Sequence, residues 1–307
     1  MPERSTEPLD RSTDAERGIV PRISGHTKLA MLLGTPVAHS LSPAIHNTSF
    51  AALGIDAVYL VADVTAPALP AALSGARVLG MLGLNVTMPH KAAVIPYLDS
   101  VTSAAEFMGA VNTIAIENGK MIGHNTDGAG LLRSISEAGF PVRGSSVTIL
   151  GAGGAATAAF TQAALDGASR VTVFNHRSAR FAAAEERLAA LHSQTGVPCT
   201  IHDLADNNAL AAAVAASDIV INATPAGMAP RTDSCLVDEA WLHAGQAVAD
   251  TVYFPIDTVL LQRAAHAGAT PINGLGMLLW QAAIAEEIWT GQHMPVNLIR
   301  QTVLERL

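Results

Sequence analysis

The sequence predicts an α/β protein, and its length allows either one large domain or two ordinary ones. Half of its 307 residues are apolar and only 14% are charged, so the chain can bury a substantial core. From Lys28 onward, short apolar runs alternate with longer alanine- and leucine-rich stretches of helical periodicity. The apolar runs are nearly continuous, which is typical of parallel strands covered on both faces.

Charge and cysteine content narrow the range of functions. The chain has 18 Lys and Arg residues against 26 Asp and Glu residues, a formal net charge of −8. This balance disfavours nucleic acid and anionic membranes as partners, because both bind positive surfaces. Cys199 and Cys235 form no CxxC pattern, and the histidines show no HxxxH spacing, so no metal site and a reducing compartment are expected.

Residues 1–26 are predicted to form a disordered tail, since they are polar and of mixed charge. They contain neither the apolar segment nor the small-residue cleavage site of a secretory signal. No apolar run is long enough to span a membrane. We therefore expect a soluble protein located in the cytoplasm.

Three strand-to-helix steps follow the tail. The predicted strands are LAMLLG, AVYLVADV and MLGLNVT, and the helical stretches after the first two are PAIHNTSFAALG and APALPAALSGA. A segment initiated by Pro89 follows the third strand. This alternation predicts βαβ units and a parallel sheet.

A glycine-rich turn provides the strongest local motif. The segment VTILGAGGAATAAFTQAAL begins as a strand, passes through Gly151, Gly153 and Ala156 with GxGxxA spacing, and continues as a helix. The first glycine permits a tight turn, the second admits a pyrophosphate, and the small third residue allows close packing of the helix. The alternative is a turn without a ligand, which the flanking strand and helix disfavour. The predicted dinucleotide-binding residues here are Gly151, Ala152, Gly153, Gly154 and Ala155.

The strand after this helix indicates which dinucleotide is preferred. An NAD-specific site places a carboxylate at the end of this strand, but here the strand ends at Asn175, followed by His176, Arg177 and Arg180. Guanidinium groups can pair with a 2′-phosphate, so the sequence favours NADP over NAD. The alternative is that both arginines are simply solvated at the start of a helix.

A third strand, in ASDIVINATPAGM, runs into a Pro/Gly loop that contains Thr224 and Met228. In a doubly wound sheet, ligands lie beyond the carboxyl ends of the strands, so this loop is predicted to reach the cofactor. Met228 as ordinary core filling is an equally open interpretation.

Seven motifs in this order resemble the shikimate dehydrogenase family. They are HSLSP, NVTMPHK, GAVNT, HNTDG, GAGGAA, NATPAGM and GLGMLLWQ, and the resemblance runs from about Lys28 to the C-terminus. It implies a substrate-binding domain of residues 27–126 and 274–307, with the C-terminal helices returning to it. A Rossmann-like domain would occupy residues 127–273. The LLWQ, FNHR and EIWTGQ stretches look more like the quinate/shikimate branch of the family.

The resemblance implies that Ser40 and Ser42 of HSLSP hold a substrate carboxylate. Hydroxyl donors can bind an anion without a salt bridge, which suits an acidic protein. For Ser42 a structural role is also adequate, because a serine before Pro43 is a typical helix N-cap.

Lys91 of NVTMPHK and Asp127 of HNTDG are, by the same resemblance, a catalytic pair. Reduction of a ketone needs a proton for the developing alkoxide, and the reverse reaction must remove it. Which of the two residues carries that proton is left open. The structural alternatives are a surface lysine at a helix start and an aspartate that caps a helix.

Further site residues are implied by the resemblance. Amide and hydroxyl groups beside the cleft would hydrogen-bond the ring hydroxyls of a polyol acid and so reject analogues that lack them. The predicted substrate-binding residues are Asn85, Thr87, Asn112, Tyr253 and Gln281. The GLGMLLWQ motif adds Gly274 and Met277 to the cofactor residues.

The expected activity is the reversible, NADP(H)-dependent reduction of 3-dehydroshikimate to shikimate, a step of chorismate and aromatic amino acid biosynthesis, in a cleft between the domains. Quinate oxidation with NAD and action on an aminoshikimate are the alternatives within this enzyme class. A catalytically silent sensor is the alternative outside it, which retention of Lys91 and Asp127 disfavours. A homodimer is left open.

Overall fold

A computed structural model describes residues 23–305. The predicted tail lies outside the described residues up to residue 22, and residues 23–26 lead into the first strand through a turn. Two six-stranded sheets organise the described chain. Both are flanked by helices, as the composition predicts.

The first sheet contains the strands that the N-terminal motifs follow. Its members are β1 (Lys28–Gly34), β2 (Ala57–Asp63), β3 (Gly83–Val86), β4 (Ser100–Val101), β5 (Thr113–Glu117) and β6 (Lys120–His124). Their order across the sheet is β2-β1-β3-β5-β6-β4, in which β1 runs parallel to β2 and β3. The helices between them are α1 (Ser42–Leu53), α2 (Leu69–Val78) and α3 (Ser103–Met108). The steps β1-α1-β2 and β2-α2-β3 confirm the predicted βαβ units.

The prediction of repeated βαβ units is wrong after β3. Pro89 does not begin an α-helix. Residues 88–94 form turns instead, and a short 3-10 helix occupies Ile95–Tyr97. Further along the chain, β5 runs antiparallel to both of its neighbours, β3 and β6. Strands β5 and β6 are joined by Asn118 and Gly119, whose φ angles of 50° and 76° are those of a type I′ hairpin turn.

The second sheet is parallel throughout. It contains β7 (Ser146–Leu150), β8 (Arg170–Asn175), β9 (Cys199–Asp203), β10 (Ile219–Asn222), β11 (Ala247–Asp250) and β12 (Thr270–Ile272). Their order is β12-β11-β10-β7-β8-β9, the doubly wound arrangement. The chain reverses direction across the sheet between β7 and β10, so the ligand crevice of this fold opens at the carboxyl ends of those two strands.

Further helices flank this sheet or follow it in the chain. They are α4 (Asp127–Glu137), α5 (Gly154–Leu165), α6 (Ala179–Thr195), α7 (Asn207–Ala215), α8 (Val259–His266), α9 (Gly274–Thr290) and α10 (Val296–Leu304). The last two helices do return to the first sheet's layer, because Ile45 of α1 lies in one core cluster with Leu279 of α9 and Ile299 of α10.

Glycines bring α4 close to helices from both halves of the chain. A Cβ on Gly130 would lie 2.5 Å from the backbone nitrogen of Gln281 in α9, and one on Gly128 would lie 2.3 Å from the carbonyl oxygen of Ala158 in α5. A Cβ on Gly276 of α9 would similarly collide with the side chain of Ser134. Helices α4 and α9 therefore pack in very close contact, and this contact links the halves of the chain that hold the two sheets.

The first sheet lies within residues 28–124 and the second within residues 146–272. The predicted domain boundary at residues 126/127 falls between the two sheets and the one at 273/274 falls just after the second. Both boundaries remain predictions. Among the described residues, no helix is long and apolar enough to cross a membrane.

Candidate active site

A cavity of about 360 Å³ opens between the carboxyl ends of β1 and β3 on one side and the start of α9 on the other. It is lined by all nine residues predicted to act in catalysis or substrate binding: Ser40, Ser42, Asn85, Thr87, Lys91, Asn112, Asp127, Tyr253 and Gln281. Three predicted cofactor residues line it as well: Ala155, Gly274 and Met277. Their roles remain predictions, but the fold brings them together.

Lys91 and Asp127 form an ion pair in this cavity. The Lys91 Nζ atom donates to Asp127 Oδ2 at 2.6 Å, and the two side chains are 31% and 14% exposed. The other carboxylate oxygen accepts from Asn112 Nδ2 at 2.8 Å. Asp127 thus has both oxygens engaged across the cavity wall.

The structural alternatives for both residues are excluded. Asp127 is the first residue of α4 and not its N-cap; the cap position is held by Thr126. Lys91 lies in a turn, where its carbonyl oxygen accepts from Val111 N at 2.8 Å. The adjacent His90 is buried, and its Nε2 lies 2.6 Å from the carbonyl oxygen of Val64. Contacts on both sides therefore hold the segment that presents Lys91.

Ser42 does not cap α1 as predicted. The helix begins at Ser42 itself, Leu41 holds the cap position, and the Ser40 Oγ accepts from the Ser42 backbone N–H at 3.2 Å. Pro43 is therefore the second helical residue, and the helix starts one residue earlier than the predicted cap requires.

Asn112 is saturated by protein contacts. Its Nδ2 donates to Thr126 Oγ1 at 3.0 Å as well as to Asp127, and its Oδ1 accepts from Thr126 N at 2.8 Å and Thr113 Oγ1 at 2.9 Å. With both amide hydrogens in use, the geometry favours Asn112 as a residue that orients Asp127.

Asn85 is also extensively bonded. Its Oδ1 accepts from the Tyr59 hydroxyl at 2.7 Å, and its Nδ2 donates to the Asn112 carbonyl oxygen at 3.2 Å and to Thr113 Oγ1 at 3.1 Å. Tyr59, Thr113 and Thr126 are residues that the sequence analysis missed. Thr113 and Thr126 lie inside quoted motifs, whereas Tyr59 belongs to an apolar strand and gives no signal of a site.

Gln281 reaches the cavity from the middle of α9. Its Nε2 donates to the Leu278 carbonyl oxygen of its own helix at 2.9 Å, and its backbone carbonyl accepts from Thr126 Oγ1 at 3.0 Å. The predicted return of α9 therefore delivers this side chain to the cavity. Tyr253, 42% exposed, stands at the mouth.

The glycine turn has the geometry expected of a pyrophosphate cradle. Gly151 has φ 110°, and a Cβ there would lie 2.8 Å from the carbonyl oxygen of Ala223, so only glycine fits. A Cβ on Gly153 or Gly154 would meet nothing within 4 Å, which leaves open space at the N-terminus of α5. Ala156 is fully buried, as close packing of the helix requires. The residues present therefore fit a dinucleotide.

The residues predicted to meet the 2′-position of the cofactor lie on the exposed rim beyond β8. Asn175 Nδ2 donates to the His176 carbonyl oxygen at 2.8 Å. The Arg177 Nε lies 3.6 Å from Asp203 Oδ2, and its guanidinium carbon is 4.3 Å from the Phe181 ring centroid. Arg180, in the first turn of α6, is exposed and forms no ion pair with a described residue.

Thr224 and Met228 lie outside the lining of the cavity. Thr224 is adjacent to the glycine turn, since its Cγ2 would be 3.1 Å from a Cβ on Gly151. Met228 is 47% exposed, which excludes the core-filling interpretation. The predicted contact of either residue with the cofactor stays a prediction.

Asp250 ties together the two loops at this end of the second sheet. Its Oδ1 accepts from Asn222 Nδ2 at 3.0 Å and from Val252 N at 2.9 Å, and its Oδ2 accepts from Thr258 Oγ1 at 2.8 Å. Burial raises the pKa of the Asp250 carboxyl, and these hydrogen bonds offset part of the rise. The loop bearing Tyr253 is thereby fixed to the loop that follows β10.

Nothing within residues 23–305 suggests metal or thiol chemistry. No group of three or more His, Cys, Asp or Glu residues could hold a metal ion in this part of the chain. Burial raises the pKa of the Cys199 thiol to about 11, so this group stays protonated near neutral pH.

Models of known families match most of the chain. The model described as the shikimate dehydrogenase substrate binding domain matches residues 32–114, and the shikimate 5'-dehydrogenase C-terminal domain model matches residues 274–304. Between them, residues 115–244 match the C-terminal domain of alanine dehydrogenase/PNT.

Individual relatives extend over nearly the whole chain. A shikimate dehydrogenase (NADP(+)) of Streptococcus uberis is 45% identical over 283 residues, which are 91% of this chain and 96% of that protein. A shikimate 5-dehydrogenase of Listeria monocytogenes, solved in complex with shikimate and NAD, is 43% identical with a TM-score of 0.90; the match covers 93% of this chain and 99% of that one. A quinate dehydrogenase of Corynebacterium glutamicum, solved with NAD, is 32% identical with a TM-score of 0.81, covering 91% and 99%.

Proposed function

Since this chain belongs to the shikimate dehydrogenase family, we propose that it catalyses the reversible NADP(H)-dependent reduction of 3-dehydroshikimate to shikimate. The observation that carries this proposal is the Lys91–Asp127 pair, 2.6 Å apart, in a cavity that also holds the seven other residues predicted to bind the substrate. The oxidoreductase class and the NADP preference accord with two relatives, 45% and 44% identical, that are named shikimate dehydrogenase (NADP(+)).

The Lys91–Asp127 pair manages the proton of the reacting oxygen. A lysine ammonium has three N–H donors, and Asp127 takes one of them, which leaves two for the substrate oxygen. In reduction, Lys91 stabilises the developing alkoxide and the pair supplies its proton; in oxidation, the pair accepts the hydroxyl proton. Asn112 holds the carboxylate in register for this task.

The rest of the cavity orients the substrate. The Ser40 and Ser42 hydroxyls receive the carboxylate of the acid, while Asn85, Thr87 and Gln281 surround the ring hydroxyls. Support for these roles comes from the chemistry of the side chains and their common cavity. Tyr253 closes the mouth on the side of the second sheet.

The dinucleotide, when bound, supplies hydride-transfer chemistry at its nicotinamide ring. The open space at Gly153 and Gly154 would receive the pyrophosphate, and His176, Arg177 and Arg180 would receive the 2′-phosphate of NADP. Thr224, Met228, Gly274 and Met277 are proposed to line the nicotinamide end. Residues 27–126 with 274–307 and residues 127–273 are proposed as the substrate and dinucleotide domains.

Steady-state kinetics at 340 nm test this proposal. Shikimate and quinate are each assayed with NADP+ and with NAD+, and kcat/KM is compared for the four pairs. We expect shikimate with NADP+ to be the best pair. A preference for quinate with NAD+ of more than about tenfold would refute the choice of substrate and cofactor. Binding of shikimate without any absorbance change would support the sensor instead.

We further propose that the protein works in the cytoplasm and forms a homodimer. The dimer proposal rests on β2, an edge strand of the first sheet on which Leu60 is 49% exposed. Light scattering measures this directly. A homodimer requires twice the chain mass of 31.7 kDa, and a mass of 31.7 kDa would refute it.

A further inference from the structure

Tyr59 lies under the cavity and contacts Asn85, a residue of its lining. Tyr59 is 0% exposed and belongs to β2. Its hydroxyl donates to Asn85 Oδ1 at 2.7 Å. A buried phenol thus supports the proposed hydroxyl-binding amide from outside the cavity.

We propose that Tyr59 is a positioning residue that fixes the Asn85 amide so that only its oxygen can bind the substrate. This proposal rests on the proposed function and extends it to a residue that does not itself line the cavity. It assigns a chemical requirement to the substrate: the group that meets Asn85 must be a hydrogen-bond donor.

The orientation of the Asn85 amide follows from its neighbours. The Asn112 carbonyl oxygen can only accept, so the group 3.2 Å from it must be the Asn85 NH₂. The second hydrogen of that NH₂ goes to Thr113 Oγ1, whose own hydrogen is donated to Asn112 Oδ1. Both amide hydrogens are therefore used inside the protein. The Asn85 oxygen, bonded to the Tyr59 hydroxyl, retains one lone pair.

A buried polar cluster packs against one face of the Tyr59 ring. The His46 ring stacks on it with centroids 4.4 Å apart and planes inclined by 18°. His46 Nδ1 lies 3.0 Å from Glu286 Oε2, and Ser49 donates to the other oxygen of the same carboxylate. His46, Ser49 and Glu286 are all fully buried, so the stacked His46 ring is itself held between α1 and α9. This packing fixes the Tyr59 ring and with it the position of the hydroxyl oxygen beside Asn85.

The orientation of the Asn85 amide determines whether a hydrogen-bond donor or an acceptor of the substrate can bind to it. A ring hydroxyl or an ammonium can donate to the free lone pair of Asn85, whereas a carbonyl or an ether oxygen would face it without a hydrogen bond. If the phenol hydroxyl were absent, the amide could rotate, and this discrimination would weaken.

The test is a double-mutant cycle with Tyr59→Phe and Asn85→Ala. Tyr59→Phe keeps the stacked ring and deletes only the hydroxyl. We expect a rise in the KM for shikimate of about three- to tenfold, the effect of one hydrogen bond, with the KM for NADP+ unchanged. In the Asn85→Ala background the same change should have almost no further effect. Equal effects in both backgrounds would mean that Tyr59 acts through general stability, and would overturn the proposal.

Tyr97→Phe is the matched control, because Tyr97 is 45% exposed and does not line the cavity. It should leave both KM values unchanged. If Tyr59→Phe does not fold, a crystal structure of the unmutated protein with shikimate decides: the Tyr59–Asn85 hydrogen bond should persist, and a substrate oxygen bonded to Asn85 Nδ2 would refute the proposal.

Failure of the proposed function is distinguishable from failure of this inference. The unmutated protein is assayed first, and absence of shikimate turnover counts against the function alone. Should quinate be the substrate, the same cycle is run with quinate; should neither turn over, it is run on the Kd for shikimate from calorimetry. Non-additivity supports the role of Tyr59 in each case, and additivity refutes it.

Discussion

Lys91 and Asp127 are 36 residues apart in the chain, yet their side chains meet at 2.6 Å. Lys91→Ala removes the donor for the reacting oxygen while leaving Asp127 bonded to Asn112. We expect kcat for shikimate oxidation to fall by about 10²- to 10⁴-fold, the usual contribution of general acid–base catalysis. Stopped-flow or steady-state assays at 340 nm measure this. Lys120→Ala, at the exposed start of β6, is the control, and a loss below tenfold in Lys91→Ala would contradict the assigned role.

Arg180 and Arg177 offer a matched comparison of cofactor contacts. Arg177 is already paired with Asp203 and lies over Phe181, whereas Arg180 is exposed and forms no ion pair with a described residue. We therefore expect Arg180→Ala to raise the KM for NADP+ about tenfold, and more than Arg177→Ala does, since a charge-assisted hydrogen bond is lost. The KM for NAD+ should not change. Equal effects on both cofactors would show that Arg180 does not contact the 2′-phosphate.

Arg170→Ala is the control for this pair, because Arg170 begins β8 at the opposite end from Asn175. It should leave the KM for both cofactors unchanged. The ratio of the two KM values is the informative quantity, since it cancels general damage to the nucleotide site.

At single residues, the sequence was sufficient for the outline of the cavity. Every predicted catalytic and substrate-binding residue lines it. These residues were implied by the seven-motif resemblance, and they come from strand ends, loops and the middle of α9. The sequence could not predict which of these side chains already have their hydrogen-bond partners within the protein. Asn112 and Asn85 are bonded to partners from other elements, and Tyr59 in an apolar strand is indistinguishable from a core residue until its hydroxyl is seen to meet Asn85.

At the level of elements, the close contact of α4 and α9 gives a prediction. Gly130→Ala places a methyl group 2.5 Å from the backbone of Gln281, so α9 must move. We expect a loss of about 1–3 kcal/mol in the free energy of unfolding, as for other overpacked contacts. Because Gln281 lines the cavity, the KM for shikimate should also rise. Denaturant unfolding and kinetics on the same preparation measure both effects.

Gly75→Ala is the control for Gly130→Ala. Gly75 lies inside α2, and a Cβ there would meet nothing within 4 Å. Alanine has the higher helix propensity, so this variant should gain about 0.5–1 kcal/mol. If Gly130→Ala behaved like Gly75→Ala, the close approach of the two helices would be refuted.

Secondary-structure elements were predictable where a local sequence pattern determines them. They were not predictable where the pairing of one strand with a distant strand determines them. The GxGxxA turn and the strands around it follow the pattern, because each glycine has a local steric reason. The antiparallel β5–β6 hairpin was missed although the sequence contains its signal, Asn118-Gly119, since the alternation of strands and helices was extended past β3. Partner choice within a sheet depends on distant residues, which a single chain does not reveal.

The whole molecule should show a pH-dependent stability contribution from Asp218. Hydrogen bonds from the backbone N–H and the hydroxyl of Ser146, both 2.7 Å, lower the pKa of this carboxyl. A lowered pKa in the folded state stabilises the protein above the ordinary value of 3.8, and this contribution is lost as the pH falls through the folded value. Asp218 lies on the surface before β10, so solvent screening keeps the effect small.

Asp218→Asn tests this contribution. We expect it to lower the free energy of unfolding by about 1 kcal/mol at pH 7, with a deficit that narrows as the pH drops below 3.8. Urea unfolding at a series of pH values measures the difference. Asp233→Asn, at an exposed position, is the control, and activity should be unaffected in both. A deficit independent of pH would contradict the assigned cause.

The position of Asp127 on α4 bears on how the two halves can move. The helix contacts α5 through Gly128 and α9 through Gly130, within its first turn after the Asp127 carboxylate. Points near a pivot are displaced least when two bodies rotate about it. If the two halves rotate about this contact, we expect Asp127 to be displaced little, so that its ion pair with Lys91 persists while a nucleotide enters or leaves.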